Sequence, residues 1–146
     1  MVIEMTEVSK HIKDQLGAIA YNRHPGTQPG VVFLCGHGSG MNGNKAMHVG
    51  AWAKRRGQSF LRFDYSGHGQ SDGDFFQTNI SDWTRDTIDM IDTYTDGPQI
   101  VVGSSLGGWI MLNLALARPA RIAALVGIAA APDFTEELIW KRVLMI

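Results

Sequence analysis

The sequence predicts an α/β fold, a mostly parallel sheet with helices on both faces. Three observations carry that expectation. Short runs of continuous apolar residues, the pattern of strands buried on both faces, recur along the chain. Segments with helical spacing lie between them, and such alternation builds strand–helix–strand units. Glycine-rich loops leave the strands at their carboxyl ends, where parallel sheets place their ligands.

Leu16 to Tyr21 is a short, mostly apolar run ended by the turn cluster Arg23-His24-Pro25-Gly26. Val31 to Cys35 is the first continuous apolar run, flanked by glycine, and the loop Gly36 to Gly43 follows it. Asn44 to Arg56 is expected as a helix closed by Gly57, with Ala46, Val49, Gly50 and Ala53 on one face, all small enough to sit close to a sheet. Ser59 to Phe63 is the next strand, followed by the loop Asp64 to Gly73. Ile80, Trp83, Ile88, Ile91 and Tyr94 mark the inner face of a second helix, stopped by Asp96-Gly97-Pro98. Gln99 to Gly103 is a third buried strand. Leu106 to Ala117 is a helix apolar on nearly every side, as expected deep in a domain, and Arg118-Pro119 ends it. Ile122 to Ala130 is a fourth buried strand.

The chain has 146 residues, enough for one domain with its own core and too few for two ordinary ones. Apolar residues make up 45% and charged residues 18%, a globular rather than a disordered composition. The formal charge of -1 leaves no basic field for nucleic acid or an anionic membrane, so neither is expected as a partner. Cys35 is the single cysteine, so no internal disulfide can form. Residues 1–7 hold early acids and no long apolar run, which argues against a signal peptide, and no run of about 18 apolar residues suggests a membrane span. A cytoplasmic location is the expectation.

Gly103-Ser104-Ser105-Leu106-Gly107 is G-x-S-x-G, and its setting between a buried strand and a buried helix is what a nucleophile elbow needs. The sharp turn lifts the Ser105 hydroxyl out of the sheet at the positive end of the following helix. The flanking glycines avoid a collision where strand and helix cross. Ser104 competes for the role but lacks glycines at that spacing. An acyl-transfer serine also needs donors for an oxyanion: the backbone N–H of Leu106, and one from the loop Cys35-Gly36-His37-Gly38-Ser39-Gly40.

The chain resembles an α/β-hydrolase from about Gly17 to Asp133. Within that fold it is most similar to the small abhydrolase-domain group of acyl-protein thioesterases and acyl-glucuronide esterases. The matching runs are Met41 to Ala46, Arg62 to Gly67 with Ser71-Asp72-Gly73, Asp96 to Ile100, and Gly103 to Trp109. The resemblance implies hydrolysis of small-molecule or lipid-acyl esters or thioesters through an acyl-enzyme on Ser105, with no cofactor. It also implies that the chain is the N-terminal part of one incomplete domain, with the last strands missing and a cap region opening at 133–146. Two registers of the loop are possible. Aligning on Met41 to Ala46 makes His37 the second oxyanion donor; aligning on His37-Gly38 gives the role to Ser39. The first is preferred, because the downstream run then matches without a gap.

All five histidines precede Ser105, whereas this fold places serine, acid and histidine in that order. His11, His24 and His48 have surface or packing readings, His37 shapes a loop, and His68 is expected to be structural. Asp133 follows the last strand but better opens the cap, and Asp64 better braces a loop. The acid and the base are therefore expected beyond Ile146. The chain alone is expected to be nearly inactive, with Ile122 to Ala130 as an unprotected edge and apolar residues 138–146 unburied. No cluster has metal-ligand spacing. Two alternatives remain. One is a non-catalytic, ligand-binding member of the fold. The other is a dinucleotide-binding oxidoreductase, because Gly38-Ser39-Gly40-Met41-Asn42-Gly43 is literally G-x-G-x-x-G with Asp64 further on. Against the second, a strand precedes the candidate strand and the helix starts after the last glycine.

Overall fold

The structure, a computed structural model, describes residues 8–13 and 17–134. Its strands are β1 (Ser9–Lys13), β2 (Gly17–His24), β3 (Thr27–Leu34), β4 (Gln58–Phe63), β5 (Gln99–Ser104) and β6 (Ile122–Ile128); its helices are α1 (Asn44–Arg55), α2 (Ile80–Tyr94) and α3 (Leu106–Ala117). They form one six-stranded sheet in the order β1-β2-β4-β3-β5-β6. β4, β3, β5 and β6 run parallel, while β2 is antiparallel to β4 and β1 to β2. The mostly parallel sheet expected from the sequence is present, with an antiparallel hairpin added at one edge.

Helices cover both faces. α1 packs on the face that carries Phe60, where the missing side chain of Gly50 leaves room: a Cβ there would stand 2.8 Å from the Phe60 ring. α2 packs on the opposite face, where its Tyr94 meets Tyr21 with ring centroids 4.3 Å apart. Asn79 starts α2 with a capping box, its side chain accepting from Asp82 N while Asp82 accepts from Asn79 N. The core joins Val31 to Cys35, Phe60, Leu61 and Phe63 of the central strands to Ala46 and Ala53 of α1, Met90 and Ile91 of α2, and Leu106, Ile110 and Leu114 of α3.

Several boundaries differ from the sequence reading. β3 starts at Thr27 rather than Val31. Thr27 already pairs with Gln58, and a register shift between Thr27 and Val31 absorbs Pro29-Gly30. β6 ends at Ile128 rather than Ala130, because Ala129 turns the chain with φ of 47° and Ala131 N bonds back to Ser105 O. β1 was not foreseen. It is tied to α2 through His11, whose ring nitrogens lie 2.8 Å from Tyr94 Oη and 2.8 Å from Asp89 Oδ2. α3 is not deep on all sides: Leu116 is 83% exposed. Among the described residues β6 is the sheet edge opposite β1, and the strand expected as buried is mostly exposed because nothing among them packs beyond it. Leu16, residues 1–7 and most of the expected cap, with the apolar tail 138–146, lie outside the described residues.

Candidate active site

Ser105 stands between the last residue of β5 and the first turn of α3, with φ 54° and ψ −116°. A non-glycine residue held there costs on the order of 1–3 kcal/mol and persists only where its surroundings enforce it. Three bonds do so. Ser105 N donates to Ile128 O at 3.0 Å, and Ser105 O accepts from Gly108 N at 2.9 Å and Ala131 N at 3.1 Å. The flanking glycines are sterically required. A Cβ on Gly103 would lie 2.5 Å from Gly107 O, and one on Gly107 would strike Leu34 O and lie 2.7 Å from Cys35 O. The turn at Ser105 is therefore a crossing of strand and helix too close for a side chain at either glycine.

The loop after β3 meets this turn because β3 and β5 are neighbours, with Leu34 opposite Gly103. A Cβ on Gly36 would fall 3.5 Å from Ser105 Cβ. Ser39 N already donates to Gly36 O at 3.1 Å. Among the described residues, neither His37 N nor Leu106 N has a hydrogen-bond acceptor.

Asp64 holds the loop from below. It is 2% exposed, and its carboxylate accepts from Met41 N at 2.6 Å and from Gln70 N at 2.9 Å, so one side chain fastens both glycine-rich loops. Arg62 adds bonds from Nη1 to Met41 O at 2.7 Å and to Asn42 Oδ1 at 2.6 Å. Burial lowers the Arg62 pKa, and Asp64 opposes that shift. The oxygens of Asp64 that a dinucleotide ribose would need are thus bonded within the protein, and α1 begins only after Gly43. The loop-bracing role expected for Asp64 is what the geometry gives.

No histidine is hydrogen-bonded to Ser105 among the described residues. His37 is exposed and packs edge-on against Phe75, ring centroids 4.8 Å apart. His68 is 3% exposed, 5.0 Å from Trp83 and 5.1 Å from Phe75 by ring centroid, and its Nε2 has no partner. Burial lowers its pKa, while the bond to Ser66 O raises it in part. His48 bonds to Asn44 O within α1. Asp133 occupies a turn with φ 50°. Cys35 is buried, and desolvation, helped by Asp64, pushes its thiol up to about 12, with Arg62 opposing.

An apolar pocket of about 230 Å³ opens beside the elbow, lined by His37, Ile80, Trp83, Leu106, Trp109 and Phe134 with Asn79. It brings together both expected oxyanion residues. Sequence reasoning missed two polar ties. Asp86, 1% exposed on the inner face of α2, accepts from Ser66 N at 2.7 Å; an acid three residues after Trp83 on a buried stripe was the available signal. Lys45 Nζ donates to Ser104 Oγ at 3.0 Å, a contact with no signal in the sequence. Among the described residues no three His, Cys, Asp or Glu side chains gather as a metal set, and no helix is long and apolar enough to cross a membrane.

The family pattern described as "Serine aminopeptidase, S33" matches residues 26–145. The rat protein named "Palmitoyl-protein thioesterase ABHD10, mitochondrial" is 45% identical over 130 residues, which are 89% of this chain and 44% of that protein. The solved structure of mouse alpha/beta hydrolase domain-containing protein 10 superposes with a TM-score of 0.87 at 41% identity, covering 95% of this chain and 57% of that one. A hydrolase structure from Agrobacterium vitis S4 gives a TM-score of 0.84 at 35% identity, covering 91% of this chain and 56% of that one. The chain thus spans about half the length of these relatives. The mitochondrial naming of the rat relative overturns the cytoplasmic expectation. A lone cysteine excludes an internal disulfide, but it does not distinguish one compartment from another.

Proposed function

The chain belongs to the serine aminopeptidase S33 family of α/β-hydrolases, and we propose on that premise that it carries the nucleophile and oxyanion hole of a serine esterase or thioesterase. Ser105 Oγ adds to the acyl carbonyl carbon and loses its proton to a histidine base. The carbonyl oxygen becomes an oxyanion held by the N–H groups of Leu106 and His37. Collapse of the adduct expels the alcohol or thiol, which takes up that proton, and water then releases the acid from Ser105 by the same steps. The acyl group lies in the apolar pocket beside Trp83 and Trp109. The reaction needs no cofactor. In this fold the acid and histidine follow the serine, and both are assigned to the part of the fold that this chain, about half the length of its relatives, does not span.

The observation that carries this reading is the enforced φ of 54° at Ser105, between glycines that admit no side chain. His37 is favoured over Ser39 as the second donor because Ser39 N is already bonded to Gly36 O. Esters and thioesters are favoured over amides because the rat relative is named a thioesterase. Fluorophosphonate treatment of the full-length protein should place the adduct on Ser105. Ser105→Ala should abolish both labelling and turnover of a short-chain nitrophenyl ester, since the catalytic groups act as a unit. Labelling elsewhere, or retained turnover, overturns the assignment.

A further inference from the structure

The loop between β3 and α1 borders a cleft of about 170 Å³ on its inner side, lined by Phe33, Cys35, Gly36, Gly40 and Ser104 among others. The glycine-rich loop is packed at His37, against Phe75, and at Met41, buried in the core; where it borders the cleft its position also depends on polar ties. One end is fastened at Met41 by Asp64 and Arg62. Across the cleft the tie is Lys45 Nζ to Ser104 Oγ, at 3.0 Å.

Two features make this contact unusual for a stabilising one. Lys45 is an exposed residue in the first turn of α1, where Gly43 provides no side-chain cap and no acid is present. A cation at that end opposes the helix dipole, and a bond from an exposed lysine contributes little to stability. Its acceptor, however, is 4% exposed and immediately precedes Ser105. A charge-assisted bond to a buried hydroxyl is directional, and here it joins the first turn of α1, directly after the glycine loop, to the last residue of β5, directly before Ser105.

We infer that Lys45, acting through Ser104, is a positioning residue: it latches the start of α1, and with it the end of the glycine loop, to the residue before Ser105, and so helps to set the distance between the His37 and Leu106 donors. This rests on the esterase reading above. Lys45 does not touch the substrate. Its loss lets the loop relax into the cleft, which weakens stabilisation of the transition state and leaves binding in the apolar pocket unchanged.

The test uses the full-length protein with Lys45→Met, Ser104→Ala, the double variant and Lys45→Arg. A misplacement of about 1 Å can cost on the order of 100-fold in rate, so kcat should fall about 10- to 100-fold in each single variant, with KM within about twofold. The double variant should be no slower than the slower single one, because both remove one bond. Lys45→Arg should recover most of the rate. Hydrogen exchange reads the latch without any activity: amides of residues 36–43 should exchange at least about fivefold faster in Lys45→Met, with β4 unchanged. Unchanged loop exchange, additive losses in kcat, or a loss confined to KM overturns the latch. A Ser105→Ala enzyme that still turns over overturns the esterase reading instead, while loop exchange still decides the latch.

Discussion

Removing the Asp64 carboxylate should loosen both glycine-rich loops at once. Asp64→Ala deletes the acceptor of the buried Met41 N–H, at 2.6 Å, and of the partly buried Gln70 N–H, at 2.9 Å. A buried donor left without an acceptor costs about 1–3 kcal/mol, and a partly exposed one falls at or below the low end of that range because water can replace the carboxylate. The sum is about 1–4 kcal/mol. Asp64→Asn keeps one carbonyl oxygen for Met41 N and should cost less, about 1 kcal/mol at most, since only the weaker bond is lost. The assay is urea denaturation of the full-length protein, comparing midpoints at constant slope. The expected order is parent, then Asn, then Ala. A loss below about 0.5 kcal/mol for Asp64→Ala, within the ordinary range for a surface change, would refute the claim that this one side chain fastens the loops.

Two further outcomes follow from the buried titratable groups. Burial holds His68 neutral in the folded state, whereas the unfolded chain takes up a proton near the ordinary value of 6.5; stability should therefore fall as pH drops below that value. His68→Phe, which suits the surrounding aromatic rings, should flatten the curve of urea midpoint between about pH 7 and pH 5.5, and parallel curves for parent and variant would remove His68 as its source. Cys35, with its thiol pushed up to about 12, should resist iodoacetamide at neutral to mildly alkaline pH until the protein unfolds. Because the unfolded thiol ionises near 9.0, stability should also decline as pH rises from there toward 12. Rapid native-state alkylation, followed by mass spectrometry, would contradict this burial.

What the sequence revealed was local. Val31 to Cys35 is buried throughout, so the run had to be continuously apolar and was legible as such. The sharp turn at Ser105 was legible because its close strand–helix crossing demands glycines at fixed offsets. β1 was not. It is an edge strand of five residues, Ser9–Lys13, paired on one side only, and its His11 is held by partners 78 and 83 positions away. Periodicity contains no such information. The same limit explains α3: its all-round apolarity predicted depth, but exposure of Leu116 depends on what packs against that face. On α2, the apolar stripe was correct while the buried acid within it, Asp86, was overlooked, because its partner Ser66 N is a backbone group on another loop.

The spacing of the site is a property of register. Leu34 lies opposite Gly103 and Ser104 opposite Ile128, so the segments after β3, β5 and β6 leave the sheet at one level and converge on Ser105. A slip of one residue between β3 and β5 would move the loop after β3 by about 3.3 Å along the strand and turn its side chains to the other face. The proposed acyl transfer at Ser105 would tolerate far less displacement than that. Register is secured at the opposite end of the strands by a cluster of glutamines. Gln99 Nε2 donates to Gln28 Oε1 at 3.0 Å, Gly30 N donates to the same oxygen at 2.8 Å, and Gln58 Nε2 donates to Pro29 O at 2.8 Å. Gln99 is 1% exposed and also donates to Asp96 O at 2.7 Å, so a shift of either strand would cost it the bond across to Gln28. The amides at the amino ends of β3, β4 and β5 thus set the alignment on which the geometry around Ser105 depends, although none of them approaches the serine.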